Sequence, residues 1–454
     1  MSPHHTDQCQ TYLSFPNYLS VWLPGVWSHS LRKINFFFHV NQDSVVHGFS
    51  TETAITKVLS DLLDDVDRGD TAILALLDLS AAFDTVDHSI LLKRLSISFG
   101  ITGQVLNWFR SYLLGRRQQV RCGGKCSANI EVTCGVPQGS VLGPILFVIY
   151  TADLPSIVHA FGLSLHQYAD DSQIYGSCQP HNTSSLSANL TRCTTAVADW
   201  MQCNRLQLNA DKTDVMWCST ARRVFSLPSD PVNIAGTDVQ PVSTVRDLGV
   251  LIDSDLGAAS HVRLIVSRCF SALRQLRHLR RYVNDDCFRS LVVALIHSRL
   301  DYGNIVLVGL PLFRQRLLQS VLNAAARLTF RLRRYDHITD ALAILHWLRV
   351  PERVDFKLAV MAYRSINRQL PSYLNVLQRV ADQPSRRQLR SSTSSRVKVP
   401  VHRLATVGRR SFPVASALMW NNLPSNIQQL PSLTLFRSQL KTFLFRRSYP
   451  SLLI

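Results

Sequence analysis

Two short acidic segments limit this chain more than anything else in it. Residues 77–88 read LDLSAAFDTVDH and residues 168–171 read YADD. Asp78 follows the apolar run 72–77, which describes a buried strand, and Asp170 and Asp171 fall where a tight turn would join two short strands, 163–168 and 173–175. Acids at strand ends and turns can converge on one point. Three such carboxylates suit phosphoryl transfer, because two divalent ions about 3.5 to 4 Å apart clamp the attacking and leaving oxygens of an in-line displacement. Hard oxygen ligands are what magnesium prefers. The expected site is a split two-metal carboxylate centre.

Three further segments fall in order around it. Residues 134–144, CGVPQGSVLGP, lead into the apolar stretch 145–150. A Pro137-Gln138-Gly139 turn ahead of a buried helix sets a flexible backbone and an amide side chain where a nucleotide base can come close, although an ordinary loop into a core helix accounts for the same residues. Residues 206–213, LQLNADKT, follow an amphipathic helix marked by Leu186, Leu190, Val197, Trp200 and Met201. Lys212 there is either a triphosphate contact or a solvated charge. Residues 246–253, RDLGVLID, describe a strand-like hairpin that can grip a primer end.

Asp78 with Phe83, the turn 136–143, the YADD segment, residues 209–213 and Leu248-Gly249 together resemble the successive palm motifs of a reverse transcriptase from a non-LTR retrotransposon, LINE-type and jockey-like. The resemblance runs from about Gly48 to the C-terminus. It implies an α+β right-hand polymerase with a small antiparallel palm sheet packed on helices, a helical thumb and reduced fingers. It also implies RNA-templated DNA synthesis, with Asp78, Asp170 and Asp171 as catalytic metal ligands for magnesium, or alternatively manganese. Phe83 matches the bulky residue that would crowd a ribose 2′-OH. Gln138, Gly139 and Lys212 match substrate-binding positions, and Leu248 and Gly249 the primer grip. The implied partners are an RNA template, a DNA primer and deoxynucleoside triphosphates, with no membrane.

Charge is divided unevenly along the chain. Residues 1–255 hold 17 Lys and Arg against 23 Asp and Glu, a net of −6, whereas residues 256–454 hold 32 against 8, a net of +24. A basic half without the catalytic acids is the electrostatic footprint expected of a template-primer clamp, since phosphate neutralisation dominates non-specific affinity. From about residue 254 the pattern turns helical. Val262, Ile265, Val266, Phe270, Leu273 and Leu276 form an apolar stripe, and Arg263, Arg268, Arg274, Arg277, Arg280 and Arg281 form a basic remainder. Residues 298–304, SRLDYGN, resemble a thumb signature of the same group, and a second amphipathic helix spans 317–329. Residues 382–398 read as an exposed linker. Residues 411–447, with Trp420, Phe436, Phe443 and Phe445, resemble the family's C-terminal tail.

The ten cysteines lack zinc-ligand spacing, and Cys287 is the last of them, so reduced thiols in an intracellular setting, nucleus or cytoplasm, are expected. No basic segment precedes an apolar one near Met1, which argues against secretion. The stretch 144–150 reads as a core helix rather than a membrane span. Four segments are expected: a divergent 1–47, fingers remnant and palm over 48–255, a thumb over 256–335 and a basic extension over 336–454. The region before residue 48 has no room for an endonuclease, and the upstream basic finger motifs are missing. The leading expectation is an RNA-directed DNA polymerase; the alternative is an inactive retroelement remnant that binds nucleic acid through its basic half.

Overall fold

The structure, a computed structural model, describes residues 50–382 and 395–450, together with the backbone of a strand at Gln10–Ser14. At its centre is a four-stranded antiparallel sheet of β1 (Thr71–Leu79), β2 (Ser164–Tyr168), β3 (Asp171–Cys178) and β4 (Leu208–Cys218), in the order β2-β3-β1-β4. The apolar run is uniform because β1 is buried on both faces. Its even positions Ala72 and Leu74 enter one core, and its odd positions Ile73, Ala75 and Leu77 enter another. Neighbouring β4 divides in the same way, with Met216 and Cys218 on one side and Val215 and Trp217 on the other. The period-2 side-chain alternation of a strand thus supplies two cores from one segment.

The second core is closed by α2 (His88–Ile97), α3 (Gly103–Leu113), α4 (Leu142–Tyr150), α5 (Leu154–Ala160) and α6 (Thr183–Cys203). The amphipathic pattern expected for α6 is realised, with Leu186, Leu190, Val197 and Met201 buried. The stretch Leu142–Ala160 is long and apolar enough to cross a membrane by length and composition. A turn at Thr151 to Asp153 breaks it into α4 and α5, and Leu146, Phe147 and Tyr150 are fully enclosed in the core.

The first core is larger and continuous through the rest of the chain. It joins α1 (Thr51–Arg68) to the hairpin β5 (Thr244–Asp247) and β6 (Val250–Asp253), and to α7 (Ala259–Leu279), α8 (Asp285–Val292), α9 (Leu312–Phe330), α10 (Val350–Ile366), α11 (Phe412–Asn421) and α12 (Leu433–Ser448). α1 starts on a capping box, Ser50 with Thr53, and ends on Gly69 at φ 100°. Polar side chains along it fasten distant segments. Glu52 accepts from the Gly303 amide and from Lys357, Ser60 from the Phe412 amide, and the buried Asp67 from the amides of Arg403 and Leu404. Gly408 lies so close that a Cβ there would sit 2.3 Å from the Asp67 carboxyl carbon.

Two features depart from the reading of the sequence. Arg280 belongs to the interior rather than to the basic remainder of α7. Only 7% exposed, it pairs with Asp285, donates to the carbonyls of Leu328 and Thr329, and lies over the Phe288 ring, thereby closing the C-terminal end of α9. The aromatic residues of 411–447 are also structural: Trp420 is 1% exposed, and its ring stacks on Phe436 at 5.9 Å. Most of the expected linker, residues 383–394, lies outside the described residues. Its far end is docked, with Val397 buried and exchanging two hydrogen bonds with Asn421. Replacing Trp420 with Ala is expected to lower the unfolding free energy by about 3 to 5 kcal/mol in urea melts followed by circular dichroism. A sheet transition left unmoved would mean that the C-terminal helices fold apart from it.

Candidate active site

β1 and β3 pair in register up to Leu77 and Ser172, so Asp78 and Asp171 are the next residues outward on adjacent strands. Asp170 stands beside them in the two-residue turn of the β2–β3 hairpin, which Tyr168 and Asp171 close. Ala169 takes φ 57° in that turn, a left-handed conformation that a side chain disfavours and that tight functional turns tolerate. The Asp171 carboxyl is pushed up to about 6 by burial against the sheet end and then by the charges of Asp170 and Asp78, although the residue stays open to solvent on one side. Oδ2 of Asp78 is buried without a hydrogen-bond partner, its nearest cation being Lys212 Nζ at 3.6 Å. The three carboxylates feel one another, yet among the described residues no three His, Cys, Asp or Glu groups draw together into a closed metal cluster. Mutual repulsion of like charges opposes closer approach.

Lys212 reaches Asp78 through a bulge. Leu76 pairs with Asp214 and Asp78 with Asn209, so residues 210–213 of β4 loop out of the ladder, and Thr213 Oγ1 ties the loop back to the Asn209 carbonyl at 3.0 Å. Bulges re-aim side chains near sites. Lys212 itself is mostly exposed.

The turn 134–143 packs on the segment after β1. Amides of Gly135 and Val136 donate to the carbonyls of Val86 and Phe83, both at 2.8 Å. Gly135, at φ 81°, has the Asp84 carbonyl oxygen 2.8 Å from where a Cβ would stand, so no side chain fits. Gln138 donates its amide to Asp84 at 2.9 and 3.0 Å, and Gly139 faces open space at φ 76°. Phe83 is half-buried against the Phe147 ring of α4, with centroids 4.9 Å apart. Behind this loop lies a buried guanidinium that the sequence reading missed. Arg116 donates to the carbonyls of Leu113, Cys134 and Gly135 and contacts His88 Nε2 at 3.1 Å. Burial pushes the Arg116 guanidinium and the His88 imidazole both below their ordinary values. No local pattern marks this arginine, because its partners other than Leu113 lie 18 to 28 residues away.

The β5–β6 hairpin turns at Leu248 (φ 43°) and Gly249 (φ 85°), a conformation that favours glycine. The Tyr302 hydroxyl donates to the Leu248 carbonyl at 2.6 Å, and its ring covers Gly249. At the end of β5, Asp247 accepts from Gln173 of β3 at 2.8 Å. Burial raises Asp247 to about 6, against the pull of Gln173 and His166 and with help from Asp171. Asp247 lay inside the quoted 246–253 segment, but its link to the acidic turn is tertiary and left no trace in spacing.

A family model for reverse transcriptase (RNA-dependent DNA polymerase) matches residues 25–251, half of the chain. The chain belongs to the reverse transcriptase family. It is 28% identical over 256 residues to the probable RNA-directed DNA polymerase from transposon BS of Drosophila melanogaster, covering 55% of this chain and 28% of that protein. It is 30% identical over 224 residues to the corresponding protein from transposon X-element of the same species, covering 49% and 24%. The RNA-directed DNA polymerase from mobile element jockey of Drosophila funebris is 28% identical over 245 residues, covering 52% and 25%. The chain therefore spans about a quarter of the length of these curated relatives. Among solved structures, a telomerase from Candida albicans in complex with the TWJ fragment of telomeric RNA superposes loosely, with a TM-score of 0.34 and 12% identity over 72% of this chain and 55% of that one. With the family established, the central antiparallel sheet packed on helices is that of the expected right-hand polymerase fold.

The acidic turn has a pH signature. A folded-state carboxyl raised to about 6 holds its proton more tightly than the unfolded chain does, so the stability it contributes is present at low pH and is lost as pH rises through about 6. In chelator, Asp171→Asn should raise the melting temperature at pH 7.5 and change it little at pH 4.5, as scanning calorimetry would read. An equal shift at both values would show that burial and the neighbouring charges do not raise the Asp171 carboxyl.

Proposed function

We propose that this reverse transcriptase chain carries the polymerising segment of an RNA-directed DNA polymerase, extending a DNA primer on an RNA template with deoxynucleoside triphosphates. The observation that carries this reading is the position of Asp78 and Asp171 at adjacent strand ends with Asp170 beside them, the Asp171 carboxyl raised by burial and by the other two charges, and one Asp78 oxygen without a hydrogen bond. Reverse transcriptases use divalent ions, and this all-oxygen donor set suits magnesium, or manganese in its place, with Asp78, Asp170 and Asp171 as the holding residues. When bound, such ions neutralise the charge that develops on the attacking and leaving oxygens.

The surrounding residues take supporting roles. Phe83, propped by Phe147, crowds the sugar 2′ position. Asp84 aims the Gln138 amide and Gly139 leaves the approach to the base open. Lys212, on its bulge beside Asp78, is placed to meet a triphosphate. The Leu248-Gly249 turn, held by Tyr302, supports the primer end. Catalysis of this kind depends on positioning and electrostatics, so small displacements of these groups are costly.

Primer extension on poly(rA) and oligo(dT) with magnesium tests the proposal. Asp170→Asn should lower the rate by about 10³-fold or more while template-primer binding persists. Binding without extension by the unaltered chain would support the inactive, nucleic-acid-binding alternative instead. Phe83→Ala should admit ribonucleotides, measured as competition between ribo- and deoxynucleoside triphosphates. Discrimination unchanged in that variant would place the sugar gate elsewhere.

A further inference from the structure

α7 and α9 pack side by side and leave a groove of about 700 Å³ between their C-terminal halves. Arg274 and Arg277 lie one turn apart on α7 and Arg281 follows just beyond its end, while Arg327 is on the last turn of α9 and Arg331 caps it at φ 57°; all five line the groove. Leu273, Ala324 and Leu328 make an apolar floor. No acidic residue lines the groove, and none of these five arginines is in a salt bridge among the described residues. At its inner end the buried Arg280 keeps Nη1 without an acceptor, and Arg327 keeps Nε in the same condition. Like charges crowded about one slot repel, so five guanidiniums with no acid among the lining residues are a cost that an anion would offset.

The shape selects among anions. Guanidinium forks suit phosphate oxygens. A slot of this size with an apolar floor encloses a few groups at a time, as a small-ligand site does, whereas a duplex presents mainly its backbone to a protein surface. A single strand fits, with its phosphates on the arginine walls and its bases on the apolar floor. An anionic lipid surface would instead call for an open basic face. We propose that this groove is a second polynucleotide site that takes a short length of single strand, apart from the primer terminus at the β5–β6 turn. The proposal goes beyond the polymerase reading and holds whether or not the chain catalyses.

The test uses the full chain and a fluorescein-labelled oligo(rU), read by fluorescence anisotropy across a salt series. The triple variant R277Q/R281Q/R331Q changes three exposed side chains, and thermal melting checks its fold. It should weaken single-strand binding at least about tenfold and flatten the slope of log affinity against log salt by roughly 2, since each lost single-strand phosphate contact removes about 0.7. Affinity for a blunt RNA–DNA duplex should change much less. R277K/R281K/R331K keeps the charge without the fork, so it should restore the slope but only part of the affinity. Unchanged single-strand binding would overturn the proposal, as would an equal loss for duplex, which would make the groove part of a duplex clamp. Lost binding to phosphatidylserine vesicles with intact oligo(rU) binding would assign the groove to lipid and overturn it too. Primer extension by the unaltered chain is scored separately, so failure of the polymerase reading leaves this comparison intact.

Discussion

Pairing of β1 on both of its edges is the constraint from which the rest of the molecule follows. With a partner on each edge and helices packed on each face, β1 feeds its side chains into two cores at once. One core supports the turn 134–143 that packs beside Phe83, and the other carries the helices after residue 256. The same pairing delivers Asp78 to Asp171. A one-residue slip of β1 against β3 would exchange the two faces and turn the acid away from its neighbour. Core packing and carboxylate placement are therefore specified by a single register.

Segments with a local signal were legible. The uniform apolar run predicted β1, the acidic turn residues predicted the hairpin, although Asp171 begins β3 rather than lying in the turn, and the three-to-four spacing predicted α6 and α7 to within a few residues. What escaped depends on partners distant in sequence. Arg116 is one case, since nothing near it announces a buried guanidinium that organises carbonyls on another loop. The bulge that turns Lys212 toward Asp78 is another: the strand carrying it is readable, but its five-against-two register shift is set by β1. The Asp67 cradle for residues 403–408 spans more than 330 residues and is tertiary by nature.

Net charge was the least discriminating signal, because it pools arginines with different tasks. Arg280, Arg353 and Arg410 are internal. Arg353 pairs with Asp301, and Arg410 donates to the carbonyls of Val308 and Leu256 while burial lowers it to about 10. Each satisfies backbone or acid groups that would otherwise be orphaned in the core. Those left for a polyanion are the exposed remainder, and the structure concentrates five of them on one groove.

The 298–304 segment fastens the helices after residue 256 to the hairpin and to α1. A π-helical turn, Val293–His297, interrupts the helical run just before it, and such turns rotate the residues that follow. Asp301 then meets Arg353, Tyr302 reaches over the β5–β6 turn, and Gly303, at φ 60°, donates its amide to Glu52 at the start of α1. A Cβ at Gly303 would stand 2.8 Å from a Val250 methyl, so the close approach to β6 requires glycine. Three successive residues thereby tie α10, the hairpin turn and α1 to one point. Asp247 of that hairpin is itself hydrogen-bonded to Gln173 on β3, so the same point is also tied to the strand that carries Asp171.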